Sequence, residues 1–320
     1  MLHPTLSKSG RFFFWPIIRF CEYLGMYHPE LLTRIRYYVT FKKHLNLSNP
    51  QDLNEKIKWA MLYSDTSRWT DLADKYKVRK YIEHIGLSDT LVQLYAVWDN
   101  VKNIDFSQLP DSFILKSNNG NGKGTFKIIN KSDLTKEKEK ALLKLLNNWL
   151  KQKRIGALSA ENHYLNISPR IVAEEVLKPG KNEKSLIDYK IWCFNGKAEC
   201  IFVCSDRSSS GNSAKIMVYD LDWNPHPETL VFNSDYERAE IIEKPQNFTK
   251  MIEIAERIST GFPELRVDLY NIDGNIHFGE MTFTSQGGGM DYFTPEYLKY
   301  LGSRINIKDF PQKINIKWIS

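Results

Sequence analysis

Cysteine is scarce in this 320-residue sequence: Cys21, Cys193, Cys200 and Cys204 are the only four, and no two form a C-x-x-C pair. That excludes a zinc knuckle and a dense disulfide frame, and it makes a reducing cytoplasm the expected location. The seven histidines (His3, His28, His44, His84, His163, His226 and His277) show no metal-ligand spacing. Long apolar runs are absent as well. The longest, residues 12–18, is closed by Arg11 and Arg19 and broken by Pro16, well short of the roughly 20 residues of a spanning helix; it makes no convincing signal peptide. The charge excess is only +6, from 44 basic and 38 acidic side chains, which by itself does not indicate a nucleic-acid partner.

A composition of 42% apolar, 13% aromatic and 26% charged residues is that of a globular chain, and the length suggests two domains or three small ones. Most of the positive excess is local: residues 1–60 hold nine Lys or Arg against four Asp or Glu. There the charges interleave with Phe12, Phe13, Phe14, Trp15, Ile17 and Ile18. Such a segment either lies on an anionic membrane surface or packs as an amphipathic helix on the body of the protein.

Apolar spacing at threes and fours predicts helices over 17–45, 53–63 and 74–85, the second capped by Asn49 or Asp52 and the third stopped by Gly86. A Lys-rich helix is expected within 132–154, its Leu142, Leu145, Leu146 and Trp149 stripe facing a core. Short strands are expected at 91–98, 113–116, 171–177, 188–194, 198–204 and 216–220, with a helix at 248–258. Residues 265–270 and 276–283 flank Asn271-Ile-Asp-Gly-Asn275, a hairpin signal.

Three segments carry chemistry. In Phe113-Ile-Leu-Lys-Ser-Asn-Asn-Gly-Asn-Gly-Lys-Gly-Thr125 a strand runs into a loop where Asn118, Gly120, Gly122 and Gly124 let backbone N–H groups approach an anion, while Lys116 and Lys123 add charge. It is neither a Walker A loop nor a Rossmann turn, and an ordinary turn stays open. In Ile171-Val-Ala-Glu-Glu-Val-Leu177, Glu174 and Glu175 at the end of a buried strand need partners, either a ligand amine or hydroxyl, or water. The third is Arg266-Val-Asp-Leu-Tyr270 opposite Gly279-Glu-Met-Thr282. A two-residue turn at Asp273-Gly274 pairs 268 with 279, whereas a three-residue loop pairs 268 with 280. In the second register Asp268 and Glu280 stand together beside Arg266, as a Mg²⁺ pair or as a salt-bridge ladder. Ser285-Gln-Gly-Gly-Gly-Met290 follows as a flexible polar loop able to close on a substrate.

In this order the set resembles the ATP-grasp superfamily, and within it the branch named for teichuronopeptide synthesis and found with polysaccharide-biosynthesis genes. The phrases that carry the closer resemblance are Asn54-Glu-Lys-Ile-Lys-Trp59, Asp74-Lys-Tyr-Lys-Val-Arg79, Asp188-Tyr-Lys-Ile-Trp-Cys-Phe-Asn-Gly196, Arg266-Val-Asp-Leu-Tyr270 and Phe278-Gly-Glu-Met-Thr-Phe283. The resemblance implies an α+β ATP-grasp fold, with two α+β subdomains sandwiching ATP: a helical N-terminal region over 1–70, a small subdomain over 71–177 and a large one over 178–320. It implies phosphate contacts from Lys75, Lys116, Lys190, Arg207 and the 118–124 loop. Glu174 and Glu175 would sit at the adenine, with the Val176 and Leu177 backbone reading its edge, and Asp188 at the ribose. Asp268 and Glu280 would hold Mg²⁺, and Arg266 would stabilise an oxyanion, with Lys116 beside the phosphoryl group in transfer. Thr282 replaces the Asn of many relatives and is a weaker oxygen donor; Ser285 and Gln286 join it as further substrate or metal contacts.

The activity so implied is an ADP-forming carboxylate-amine ligation through an acyl phosphate. Its substrates would be an amino acid or amine and a uronic acid of a cell-surface polysaccharide or its precursor, and no nucleic acid is needed. The expected place is the cytoplasm, with the membrane's inner face as the site for the basic N-terminus. Two other readings stand beside it. Asp220-Leu-Asp222 is a DxD by which a glycosyltransferase could hold a metal and nucleotide sugar, and a non-catalytic nucleotide-sensing or membrane-scaffolding protein would use the N-terminus alone.

Overall fold

The computed structural model describes residues 8–120, 124–181, 183–206 and 213–313, with side chains from residue 15 onward. Its helices are α1 (Lys8–Tyr27), α2 (Pro29–Phe41), α3 (Leu53–Tyr63), α4 (Ser67–Ala73), α5 (Val78–His84), α6 (Lys136–Leu150), α7 (Asn162–Leu165), α8 (Phe248–Ser259) and α9 (Pro295–Ser303). Its strands are β1 (Leu94–Trp98), β2 (Ser112–Ser117), β3 (Phe126–Asn130), β4 (Ile171–Glu174), β5 (Asp188–Phe194), β6 (Lys197–Ser205), β7 (Ala214–Tyr219), β8 (Tyr236–Arg238), β9 (Glu264–Ile272) and β10 (Asn275–Thr282). The fold class is α+β.

Local chemistry explains most boundaries. Pro29 lacks an N–H and opens α2, so the stretch read as one helix over 17–45 divides at His28. Asp52 caps α3 by accepting from the Glu55 N–H at 2.8 Å. The stretch 74–85 is not one helix: Asp74 is extended, and α5 begins only at Val78. β3 is not among the strands expected from sequence, because its outward positions Phe126 and Ile128 are apolar yet exposed.

Two sheets organise the molecule. The smaller has the order β1-β4-β2-β3, all antiparallel. One face, with Phe113, Leu115, Ile129, Ile171 and Ala173, packs on Leu142, Leu146 and Trp149 of α6. Each buried Leu, Ile or Phe among them contributes roughly 1.5–3 kcal/mol of apolar burial, and the α6 lysines are left on the solvated side. The opposite face carries Lys116, Phe126, Ile128 and Glu174, by strand alternation. The larger sheet has the order β10-β9-β5-β6-β7-β8, antiparallel except for β7 with β8. Its core takes in α8 and also Leu53, Ile57, Trp69, Leu72, Val78 and Ile82 of α3–α5. Residues 53–82 therefore pack with the larger sheet although they precede the smaller one in the chain.

The β9–β10 hairpin combines parts of both registers read from sequence. The loop is the two-residue turn, Asp273 (φ 49°) and Gly274 (φ 88°), with Ile272 opposite Asn275. Leu269 pairs with Phe278, yet Asp268 pairs with Glu280, because a β-bulge inserts Gly279 between them. A Cβ on Gly279 would lie 2.9 Å from the Asp268 carbonyl oxygen. Glycine at this position is what lets the bulge close and brings the two carboxylates to one face.

Candidate active site

The registers place Lys190 opposite Asp268, Trp192 opposite Arg266, Glu280 opposite Asp268 and Thr282 opposite Arg266. Five polar side chains thus share one face of three adjacent strands. Arg266 is buried and donates from Nε to Asp268 Oδ1 at 2.6 Å and from Nη2 to Oδ2 at 2.8 Å. It also donates to Ser285 Oγ at 3.1 Å and Thr282 Oγ1 at 3.0 Å, lies 3.4 Å from Glu280 Oε1, and covers the Trp192 ring. Lys190 donates to Asp268 and stands 4.0 Å from Asp188. Lys75 reaches in from between α4 and α5: its Nζ donates to the Gly120 carbonyl at 2.7 Å and sits 3.5 Å from Glu280 Oε2. One lysine therefore joins the glycine-rich loop to the carboxylate hairpin.

Burial opposes ionisation of Glu280, but the charges of Lys75, Arg266 and Lys190 outweigh it and hold its carboxyl at about 2. Glu280 is the open member of the pair, with 41% of its side chain exposed against 5% for Asp268. Two carboxylates and the Thr282 hydroxyl suit Mg²⁺, which commonly takes its other ligands from phosphate and water. Among the described residues no group of three or more His, Cys, Asp or Glu forms a self-sufficient metal site.

On the smaller sheet Lys116 donates to Glu174 at 2.8 Å, and Arg79 donates to the other Glu174 oxygen at 3.2 Å and to the Val92 carbonyl. Glu175 is exposed, its N–H bonded to the Gln93 carbonyl; Val176 and Leu177 follow, half-buried. Asn118 is buried and fully engaged, donating to Asp74 at 2.9 Å and to the Ser168 carbonyl while accepting from the Arg170 N–H. Its side chain anchors the loop. Gly120 packs against Thr125, where a Cβ would come within 2.4 Å, and Gly124 has a φ of 77°. Gly122, Lys123 and Arg207 lie outside the described residues.

The segment 285–290, expected to be flexible, is tied down. Asn54 on α3 donates to the Met290 carbonyl at 2.9 Å and accepts from its N–H at 3.0 Å. Lys58, one turn on, donates to the Gly287 carbonyl at 3.0 Å, and burial pushes it down to about 8. Thr284 donates to buried Glu161, whose carboxyl burial raises. Gln286, at a φ of 47°, donates to the Tyr236 hydroxyl. The segment Asn54-Glu-Lys-Ile-Lys-Trp59 thus has a task that no local motif in the sequence announces. The available signal was an Asn and a Lys four apart on the apolar face of a helix, where burial requires partners. Arg79, Phe126 and Ile128 also went unassigned, and only the strand pairing shows that the latter two share a face with Lys116.

The DxD is closed on its own turn. Asp220 accepts from the Asn224 backbone at 2.7 Å, the Asn224 side chain at 2.9 Å and the Asp222 N–H at 3.0 Å, with His226 at 3.2 Å.

Residues 55–306 match the TupA-like ATPgrasp family. No curated protein matches the chain. Similar solved structures include a D-alanine–D-alanine ligase from Bacillus anthracis, 15% identical over 69% of this chain and 60% of that one, with a TM-score of 0.42. They also include the ATP-grasp ligase PsnB with a precursor variant, Mg and ADP, 10% identical over 75% and 60%, at 0.40. A third is an ADP complex of PurK, an N5-carboxyaminoimidazole ribonucleotide synthetase, 14% identical over 68% and 46%, at 0.41. The chain thus spans about 60% or less of the length of these solved proteins. The family match itself covers more than three quarters of the sequence, and the chain belongs to the TupA-like ATP-grasp family.

Proposed function

We propose that this chain is an ATP- and Mg²⁺-dependent, ADP-forming ligase that joins an amine or amino acid to a uronic-acid carboxylate of a cell-surface polysaccharide or its precursor. The observation that carries the reading is Lys75, bonded to Gly120 of the glycine-rich loop and adjacent to Glu280 of the carboxylate hairpin. In this reading the nucleotide lies between the two sheets, the smaller falling within 71–177 and the larger within 178–320. Lys75, Lys116, Lys190 and the loop backbone, with Lys123 and Arg207, hold the phosphates. Glu174 steers Lys116 and, with Glu175 and the 176–177 backbone, borders the adenine; Asp188 takes the ribose. Exposed Phe126 and Ile128 supply apolar area beside Lys116.

Asp268 and Glu280 would hold Mg²⁺, which when bound neutralises phosphate charge. The acceptor carboxylate oxygen bonds the γ-phosphorus as the bond to the β-phosphate oxygen breaks, and ADP leaves with that electron pair. The amine nitrogen then bonds the acyl carbon, the carbon–oxygen bond to phosphate breaks, and the nitrogen yields its proton to solvent. Arg266 faces the developing oxyanion. Positioned charge does this work without a covalent nucleophile from the protein. The uronic-acid substrate and the cytoplasmic, inner-face location are supported by the resemblance to the polysaccharide-associated branch; among the described residues no helix is long and apolar enough to cross a membrane.

With Mg-ATP, a uronate saccharide and an amine pool, the wild-type chain should release ADP and phosphate in step with amide formation. Asp268→Asn should lower that rate by a factor of about a hundred or more, the scale of one removed electrostatic contact. Undiminished turnover by that variant would refute the metal assignment.

A further inference from the structure

Nine of the eighteen large apolar side chains exposed among the described residues lie within residues 15–39, so apolar exposure is concentrated on the α1–α2 hairpin. On α1 the exposed stripe is Phe20, Tyr23 and Tyr27, and on α2 it is Leu31, Ile35 and Tyr38, each at helical spacing. Phe20 and Tyr27 are 60% and 65% exposed. The inner faces are already engaged: Leu24 and Leu32 pack with Ala160, and Tyr37 with Leu45, Leu47 and Leu62. The outer stripes are therefore not a misplaced core.

The charge of the hairpin narrows what covers it. Residues 8–43 contain Lys8, Arg11, Arg19, Arg34, Arg36, Lys42 and Lys43 against only Glu22 and Glu30. Glu22 pairs with Arg19 and Arg154, and Glu30 with Arg34, whereas Arg36, Lys42 and Lys43 are exposed and in no ion pair with a described residue. A second copy docking by the same face would bring two such basic surfaces together, since a two-fold interface is self-complementary. Apolar and aromatic stripes amid Lys and Arg, on helices unable to span, suit the headgroup region of an anionic bilayer.

We propose that the α1–α2 hairpin lays this protein on an anionic membrane surface and that the same contact fixes the acceptor side of the site relative to the bilayer. Gly25 of α1 packs so closely on the 157–160 turn that a Cβ would lie 1.7 Å from the Ala157 carbonyl oxygen. The next residue after that turn is Glu161, which accepts from Thr284; Ser285 then accepts from Arg266. Three contacts thus run from the docking face to the guanidinium. The first half of the proposal stands alone, and the second rests on the ligase reading, with Ser285 and Gln286 as substrate contacts. The acceptor class this favours is a saccharide carried on a membrane lipid.

The test is flotation of the full chain with vesicles of phosphatidylcholine alone or with about one third phosphatidylglycerol. The wild type should float with the anionic vesicles at least tenfold more than with the neutral ones. Phe20→Ser/Tyr27→Ser/Leu31→Ser should lower that binding at least tenfold, as should Arg36→Glu/Lys42→Glu/Lys43→Glu, both with the wild-type melting temperature because the altered side chains are exposed. Wild type that stays soluble with both vesicles overturns the proposal. So does either variant floating like wild type, or light scattering that finds a dimer abolished by the serine variant without vesicle binding. Asp268→Asn should still float; if it also kept full turnover, the metal assignment would fail while the docking surface stood, and wild type that floats but releases no ADP with any uronate and amine would sink the ligase reading alone.

Discussion

His163 is buried edge-on to Trp69, its Nε2 bonded to no described residue, and burial pushes it down to about 3. The unfolded chain protonates near 6.5 and the folded chain does not, so this residue's contribution is full above 6.5 and lost as pH falls toward 3, at up to about 1.4 kcal/mol per unit. Glu264 behaves oppositely. It is buried two residues before Arg266 with Oε1 unpartnered among the described residues, and burial raises it to about 8 against the opposing Arg266 charge. Its contribution is full below the unfolded carboxyl value and lost as pH rises to 8. Urea unfolding at pH 5, 6.5 and 8 separates the two. His163→Gln should gain on wild type between pH 6.5 and 5, and Glu264→Gln should gain between pH 5 and 8. Stability curves parallel to the wild type would contradict both assignments. Neither residue was legible as buried from sequence, since a single His or Glu carries no mark of its surroundings.

Elements here are set by a few exacting positions. The β9–β10 hairpin depends on Gly279, because any side chain there meets the Asp268 backbone. Gly279→Ala should cost about 1–3 kcal/mol by overpacking, and in the proposed enzyme it should lower turnover because the Cβ meets the Asp268 carbonyl. Wild-type turnover by this variant would count against the bulge as the aligning device. Helix α3 is the second case. Asn54→Ala leaves the Met290 N–H and carbonyl unpartnered in a buried site, for about 1–3 kcal/mol per unsatisfied group. Thermal unfolding should register this, and proteolysis should find 285–290 more readily. Turn chemistry and helix caps were readable along the chain because Asp52 and Asp273-Gly274 act on neighbours. The bulge was not, because it answers to a carbonyl on the facing strand.

Across the whole molecule the cores of the two sheets are of unequal size, and polar contacts between them include Lys75 with Gly120 and Glu280, Asn118 with Asp74 and Arg79 with Glu174. If ATP binds between the sheets, at a hundredfold excess over its dissociation constant it should add about 2.7 kcal/mol to stability. Hydrogen exchange should then slow in β2, β3 and 118–120 as well as in β9 and β10, while α1 and α2 stay unchanged. Protection confined to one sheet would contradict a shared site, and Lys75→Met should weaken the coupled response.

The sequence by itself determined the fold class, most strands, the α3 and β5 boundaries and the order of motifs by which the family is recognised, because those signals are local in period, cap and turn. Tertiary structure alone decided that residues 53–82 join the larger core, that Asn118 is an anchor, that α3 holds the 285–290 loop, and that α1 and α2 keep an apolar face outward. Each of these depends on partners distant in the chain, and burial or exposure at such positions is a property of the packed molecule, not of the residue.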